Sequence, residues 1–166
     1  MYDEPPYQRG IVLGEQRGVP DVSYSAATYH GVLVYFYGIW YLFGGTSAGS
    51  PQWAAFLAIA DQKAGHDLGF INTALYKIGL SQRIYAAAFY DVKSGNNSVT
   101  YPVDITGFEA GSGWDATTGL GSPRASKLVL NLIKLVKPED GLNVIQSSVP
   151  NLKGRSSSVP GHVQPH

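Results

Sequence analysis

The chain has 166 residues, enough for one domain with its own apolar core. Twelve basic residues balance twelve acidic ones, so no net field draws the chain to nucleic acid or to an anionic membrane. There is no cysteine, which excludes disulfides, thiolate chemistry and cysteine metal sites, and only 14% of residues are charged, which suits a secreted protein.

Residues 1–20 are rich in proline, glycine and charge and read as a surface segment feeding a first strand. They have neither a basic start nor an apolar stretch, so this chain shows no secretion signal of its own. Residues 21–27, "DVSYSAA", have the pattern of a short buried strand. Residues 32–43, "VLVYFYGIWYLF", are β-branched and aromatic with Gly38 at the middle, the pattern of a hairpin, and they are too few for a membrane helix. The Gly44-Gly45 pair ends it.

From Pro51 to Lys63 the spacing predicts a buried helix, apolar on every side until Asp61, with Pro51 in its first turn and Thr46, Ser47 or Ser50 as cap. Residues 71–80 predict a second, shorter helix. Residues 89–121 are rich in glycine and carry little periodicity, which makes them a long structured loop, a kind of segment that usually serves a function or an ion. Residues 122–136 predict a helix started by Ser122 and Pro123, with a wide apolar face that includes Leu128, Leu132 and Val136. Residues 137–166 are a flexible tail rich in proline, serine and glycine.

Ser47 lies after a glycine turn and before an apolar helix. A serine becomes a nucleophile only when a base takes its proton and donors await the oxyanion. A helix N-terminus helps with the second need, because its free N–H groups and dipole favour negative charge. From the residues alone, Ser47 is either a nucleophile or the cap of a core helix.

The stretch "GGTSAGSPQWAAFLAIADQ" (44–62) resembles the nucleophile motif of the sedolisin family, serine-carboxyl peptidases with a subtilisin-like fold. Four further blocks occur in that family's order: "RGVPDVSYSA" (17–26), "LGFINTALY" (68–76), "FYDVKSGNN" (89–97) and "AGSGWDATTGLGSP" (110–123). Gln52-Trp53 after Pro51 differs from the histidine-valine pair of ordinary subtilisins. The resemblance implies an α/β fold with a parallel sheet flanked by helices. It implies acyl transfer to Ser47 at acidic pH, with a glutamate as base, an aspartate orienting it and a protonated aspartate in the oxyanion hole. It also implies a peptide or protein substrate and an extracellular setting. In that family the three carboxylates lie far upstream of the serine, and here only Asp3, Glu4, Glu15 and Asp21 precede Ser47. None of the four corresponds to the base, the orienter or the oxyanion acid. Residues 1–136 therefore resemble the C-terminal part of a catalytic domain, with the N-terminal part as the implied partner, and the chain alone is expected to be inactive.

Loops rich in glycine and aspartate suit calcium, which takes six to eight oxygen ligands. The resemblance implies one calcium ion, held by the carboxylates of Asp91 and Asp115 and the backbone oxygens of Val92, Gly111 and Gly113. The spacing does not fit an EF-hand. His30 and His66 have no partner at metal-ligand spacing, Trp114 reads as packing, and Arg17 and Asp21 read as a structural pair. A second reading, a calcium-binding structural module without hydrolytic activity, stays open beside the peptidase.

Overall fold

The computed structural model describes residues 2–138, so the tail expected from residue 137 lies almost wholly outside the described residues. A short 3-10 turn, Pro6–Gln8, leads into an extended segment that runs to residue 31 without a regular strand. Strands β1 (Val32–Phe36) and β2 (Ile39–Phe43) then pair antiparallel, from Val32 opposite Phe43 to Phe36 opposite Ile39. Tyr37 (φ 48°) and Gly38 (φ 82°) form the turn between them, and two positive φ angles give it the type I′ twist that matches the strands.

Helix α1 spans Thr46–Ala64. It begins before Pro51, which therefore lies inside the helix rather than in its first turn. A proline nitrogen has no hydrogen to give, so Ser47, four residues earlier, loses the helical donor to its carbonyl. The N-cap is Gly45 (φ 87°), and no side chain caps it, so Thr46, Ser47 and Ser50 do not fill the expected role. At the other end Gly65 adopts the left-handed conformation and its N–H donates to Asp61 O at 2.9 Å. The Asp61 side chain accepts from Leu68 N at 2.9 Å and fixes the turn that follows.

Helices α2 (Asn72–Leu80) and α3 (Gln82–Ala88) follow, then β3 (Phe89–Tyr90), which pairs antiparallel with β4 (Ser122–Pro123) across the long loop. Ser122 and Pro123 thus belong to a strand, and helix α4 begins after them, at Ala125, and runs to Leu135. In α4, Leu128, Val129 and Leu132 recur at helical spacing and are buried. They meet Ala74, Leu75 and Ile78 of α2 and Tyr85 and Ala88 of α3 in one core.

Three further expectations change. Residues 21–27 form no strand: Ser23 N donates to Gly121 O, Asp21 O accepts from Leu120 N and Ala26 O accepts from Gly45 N, three scattered bonds in place of a ladder. Helix α1 is not buried all round, because it packs on α4 from one side; Gly49 and Ala60 are its buried residues, while Ile59 is 59% exposed. The described residues hold two antiparallel pairs and no parallel sheet.

Candidate functional site

Ser47 occupies the second position of α1 and its side chain is exposed. The Gly45 turn is held by its N–H to Ala26 O at 2.6 Å and by its carbonyl, which accepts from Ala48 N at 3.0 Å. Ala48 N is thereby taken, and of the first amides those of Thr46 and Ser47 have no backbone partner among the described residues, which with the helix dipole favours negative charge at this end. Among the described residues no carboxylate or imidazole hydrogen-bonds to Ser47, so the helix end supplies electrostatic help without a base.

Beside Ser47 lies a cavity of about 390 Å³ between the 20–26 segment and α1, lined by Thr46, Gly49, Ser50 and Trp53 on the helix side and by Ser23 and Tyr24 opposite. Two of its side chains carry buried polar atoms without a hydrogen-bond partner among the described residues, Ser23 Oγ and Trp53 Nε1. Buried polar groups are normally paired.

Behind the 20–26 segment, Asp21 does find partners. Arg17 donates to both carboxylate oxygens, Tyr76 donates its hydroxyl hydrogen to Oδ1 at 2.8 Å and Asn72 Nδ2 donates to Oδ2 at 3.1 Å. Gln8, fully buried, gives Nε2 hydrogens to Tyr76 Oη and Gly18 O and accepts from Gly18 N at 2.8 Å. Burial, then the Asp21 carboxylate, pushes the Tyr76 hydroxyl well above the usual tyrosine range, so it stays a donor. The hydrogen bond and charge of Asp21 outweigh burial and raise the Arg17 guanidinium further. The Arg17–Asp21 pair was legible in the sequence; Gln8, Asn72 and Tyr76 were not, because nothing in their spacing marks them as partners of an aspartate dozens of residues away.

The loop 89–121 gathers four of the five residues expected around calcium. Asp91 accepts from Gly113 N at 3.1 Å and from the Tyr85 hydroxyl at 2.9 Å, and Lys93 Nζ lies 3.6 Å from it. Asp115 accepts from Gly111 N at 3.0 Å, Thr117 N at 2.9 Å and Thr118 N at 2.7 Å. Burial, followed by the Asp91 hydrogen bond and the charges of Asp91 and Asp115, raises the Tyr85 hydroxyl above its ordinary range, and both carboxylates act on it. Gly111 and Gly113 reach the carboxylates through N–H groups rather than carbonyls, and Val92 adjoins Asp91 without a hydrogen bond to the cluster. A Cβ on Gly111 or Gly113 would meet nothing within 4 Å, so there is room beside the loop, and φ 82° at Gly113 favours glycine there. Two carboxylates with flexible backbone around them fit a hard cation in part; no third acidic or histidine side chain joins them among the described residues.

Trp114, between these residues, packs against the core and donates Nε1 to Pro20 O at 2.9 Å, which ties the loop to the 20–26 segment. His66 Nδ1 lies 3.0 Å from Asp67 O and His30 stacks edge-on with Tyr29, both local contacts.

Ser47 is thus an exposed serine at the N-terminal end of α1, just after the Gly44-Gly45 pair that ends the hairpin. No family model matches the chain. Among curated proteins, kumamolisin from Bacillus sp. (strain MN-32) is 38% identical over 120 residues, 72% of this chain and 20% of the relative. Sedolisin from Pseudomonas sp. (strain 101) is 35% identical over 130 residues, 77% of this chain and 21% of the relative. Tripeptidyl-peptidase 1 from Dictyostelium discoideum is 35% identical over 117 residues, covering 68% of this chain and 18% of the relative. Among solved structures, Pseudomonas sedolisin, a serine-carboxyl proteinase complexed with two molecules of pseudo-iodotyrostatin, superposes with a TM-score of 0.68 at 32% identity, covering 82% of this chain and 35% of that one. The chain belongs to the sedolisin family, and it spans about a fifth of the length of the curated relatives it matches.

Proposed function

We propose that the chain carries the nucleophile of a serine-carboxyl peptidase that cleaves peptide bonds at acidic pH outside the cell, with Ser47 forming the acyl-enzyme. The observation that carries the reading is Ser47 itself, exposed in the first turn of α1, where the amides of Thr46 and Ser47, without a partner among the described residues, and the helix dipole favour an oxyanion. The hydroxyl attacks the scissile carbonyl and passes its proton to a carboxylate base, which returns it to the leaving amine; water then hydrolyses the ester. A carboxylate does this at acidic pH, where an imidazole would already be protonated. The base, its orienter and the oxyanion acid come from polypeptide outside this chain, the N-terminal part of the catalytic domain, and the peptide lies between the two parts. No described helix is long and apolar enough to cross a membrane.

The test joins this chain to a segment that carries a sedolisin-type glutamate-aspartate pair and oxyanion aspartate, and follows cleavage of a denatured protein at acidic pH. The joined protein cleaves, Ser47→Ala lowers the rate by a factor of about a thousand or more, and the chain alone does not cleave. Cleavage by the chain alone that Ser47→Ala abolishes would show that the base lies within it. A folded joined protein without activity would sink the assignment of Ser47.

We also assign one calcium ion to the loop, held by Asp91 and Asp115 with backbone oxygens of Val92, Gly111 and Gly113 and with water. Supporting it are the hydrogen bonds that hold Asp91 to Gly113 and Asp115 to Gly111, two residues apart, and the space beside both glycines. Calcium raises the melting temperature, chelator reverses the rise, and Asp115→Asn abolishes the response; no heat of binding in calorimetry together with no shift would remove the ion. The second reading, a calcium-binding structural module, draws on the contrast between a Ser47 without a base and a loop whose carboxylates are assembled. It keeps the calcium response and predicts no cleavage by the joined protein.

A further inference from the structure

Trp114 reads as packing in the sequence, and its ring does pack: a Cβ added to Gly18 would come within 2.9 Å of it, so the glycine leaves the indole its place. Packing alone would be served by phenylalanine. The indole adds an N–H donor that phenylalanine lacks, and Nε1 gives it to Pro20 O at 2.9 Å. That carbonyl opens the segment 20–26, which no described strand holds, so its place depends on single bonds.

Those bonds run from the loop on one side to the start of α1 on the other. On the loop side, besides the indole bond, Leu120 N donates to Asp21 O at 2.9 Å and Gly121 O accepts from Ser23 N at 3.0 Å. The approach is close: Gly119 stands at φ 61°, and a Cβ there would lie 2.5 Å from the Asp21 carbonyl and 2.6 Å from Pro20 O. On the helix side, Ala26 O accepts from Gly45 N at 2.6 Å, and Tyr24 lies against Gly49, where an added Cβ would be 3.1 Å from Tyr24 Cβ. Gly45 is the N-cap of α1, so its φ of 87° and its bond to Ala26 O orient the amides of Thr46 and Ser47. Thr117 and Thr118, whose amides donate to Asp115 Oδ1 at 2.9 and 2.7 Å, line the same cavity as Thr46 and Ser50. The segment is clamped between loop and helix, and a shift at Pro20 meets no ladder that would absorb it before Gly45.

We propose that Trp114 is a positioning residue for Ser47, acting through Pro20, the 20–26 segment and Gly45 on the amides that open α1. The proposal rests on the reading of Ser47 as a nucleophile and deepens it, because it makes the loop a part of what shapes the oxyanion environment. Amide donors stabilise an anion only when aimed at it, since hydrogen bonds weaken steeply as their angle closes, so a small tilt of the first turn is enough to matter. The route does not require an ion in the loop, because every bond along it joins two groups of the chain.

The chain has no cysteine, so Ser47→Cys in the full chain places a single thiol at the helix end. That thiol titrates below the ordinary value of about 8.5, because the amides and dipole that favour an oxyanion favour a thiolate, and its labelling rate against pH reads their alignment. Adding Trp114→Phe to Ser47→Cys moves the titration back towards the ordinary value and slows labelling at neutral pH about threefold or more. Adding Gly119→Ala instead, which pushes the segment off the loop, has the same effect. Ile84→Ala, in α3, which packs on α2, α4 and β3, is the control for lost stability and leaves the titration where it was in the folded chain. A thiol that is lowered in Ser47→Cys and unmoved by Trp114→Phe overturns the role of Trp114 and leaves the nucleophile reading standing; a thiol at the ordinary value in Ser47→Cys overturns both. Equal shifts from Trp114→Phe and Ile84→Ala would reduce the indole to packing.

Discussion

The hairpin and the helix α4 are comparably rich in apolar residues, yet they live in opposite environments. In α4, Leu128 and Leu132 are fully buried against α2 and α3, and the polar groups beside that core, from Gln8 to Asp21 to Tyr76, bond one another. In β2, Trp40 and Leu42 are 66% and 56% exposed, and at the cavity between the 20–26 segment and α1 Ser23 Oγ and Trp53 Nε1 have no partner among the described residues. The difference lies in what surrounds each element. The helices complete a core with each other, while the hairpin and the outward side of α1 are apolar surfaces that no described element covers. Ser47 is exposed at the start of α1, next to the hairpin.

The comparison is broken most directly by truncating one leucine on each side. Leu132→Ala removes a fully buried side chain and costs about 2–5 kcal/mol of unfolding free energy, whereas Leu42→Ala changes it by no more than about 0.5 kcal/mol. Urea unfolding of the two variants in parallel measures both. A loss at Leu42 as large as that at Leu132 would mean that the hairpin is packed in solution.

Next in size is Asp21, which ties the 17–21 segment to α2 on the packed side. Asp21→Ala strands the Arg17 guanidinium, Gln8, Asn72 and the Tyr76 hydroxyl together, and costs about 2–3 kcal/mol, less than a deeply buried pair because Arg17 and Asp21 keep roughly a quarter and a fifth of their side chains in water. Asp21→Asn, which keeps an acceptor of the same shape, loses less. Were the two variants equal in their urea midpoints, the charge of Asp21 would be what matters and the geometry of the network would not.

What the sequence revealed and what it hid follow the same division. The hairpin was legible because a β-branched and aromatic run with Gly38 at its middle leaves few alternatives, and α2 and α4 because their apolar residues recur at helical spacing. The start of α1 was not: Pro51 normally marks a first turn, but here the chain tolerates it inside the helix, where it lacks the bond to Ser47 O. Helix α3, Gln82–Ala88, has alanines on both exposed and buried sides and no contrast to betray its face. Residues 21–27 have a strand's composition, but composition records what a segment can pair with, and no described strand lies alongside it. At the site, Ser47, Asp91 and Asp115 were singled out by the motifs they share with the sedolisin family, and the residues alone left Ser47 open between nucleophile and helix cap. Tyr76 and Tyr85, which orient Asp21 and Asp91, were not, because a tyrosine on a buried helix face looks like packing until its hydroxyl is placed.

Those two tyrosines give the smallest expected effect, and it falls on the packed side alone. Burial comes first, then Asp21 for Tyr76 and Asp91 for Tyr85, and together they lift both hydroxyls above the ordinary value of 10.0. A group whose folded pKa is raised contributes stability that is complete below the unfolded pKa and is lost as pH rises through the folded one. The two hydroxyls therefore cause no change in melting temperature from acidic to neutral pH and a decline that begins above about pH 10, where the unfolded chain sheds these protons and the folded chain does not. Tyr85→Phe keeps the ring and removes the titrating group, so its alkaline decline is shallower than that of the unaltered chain. An identical decline in both proteins would place the alkaline sensitivity elsewhere and leave the Tyr85–Asp91 contact without a part in it.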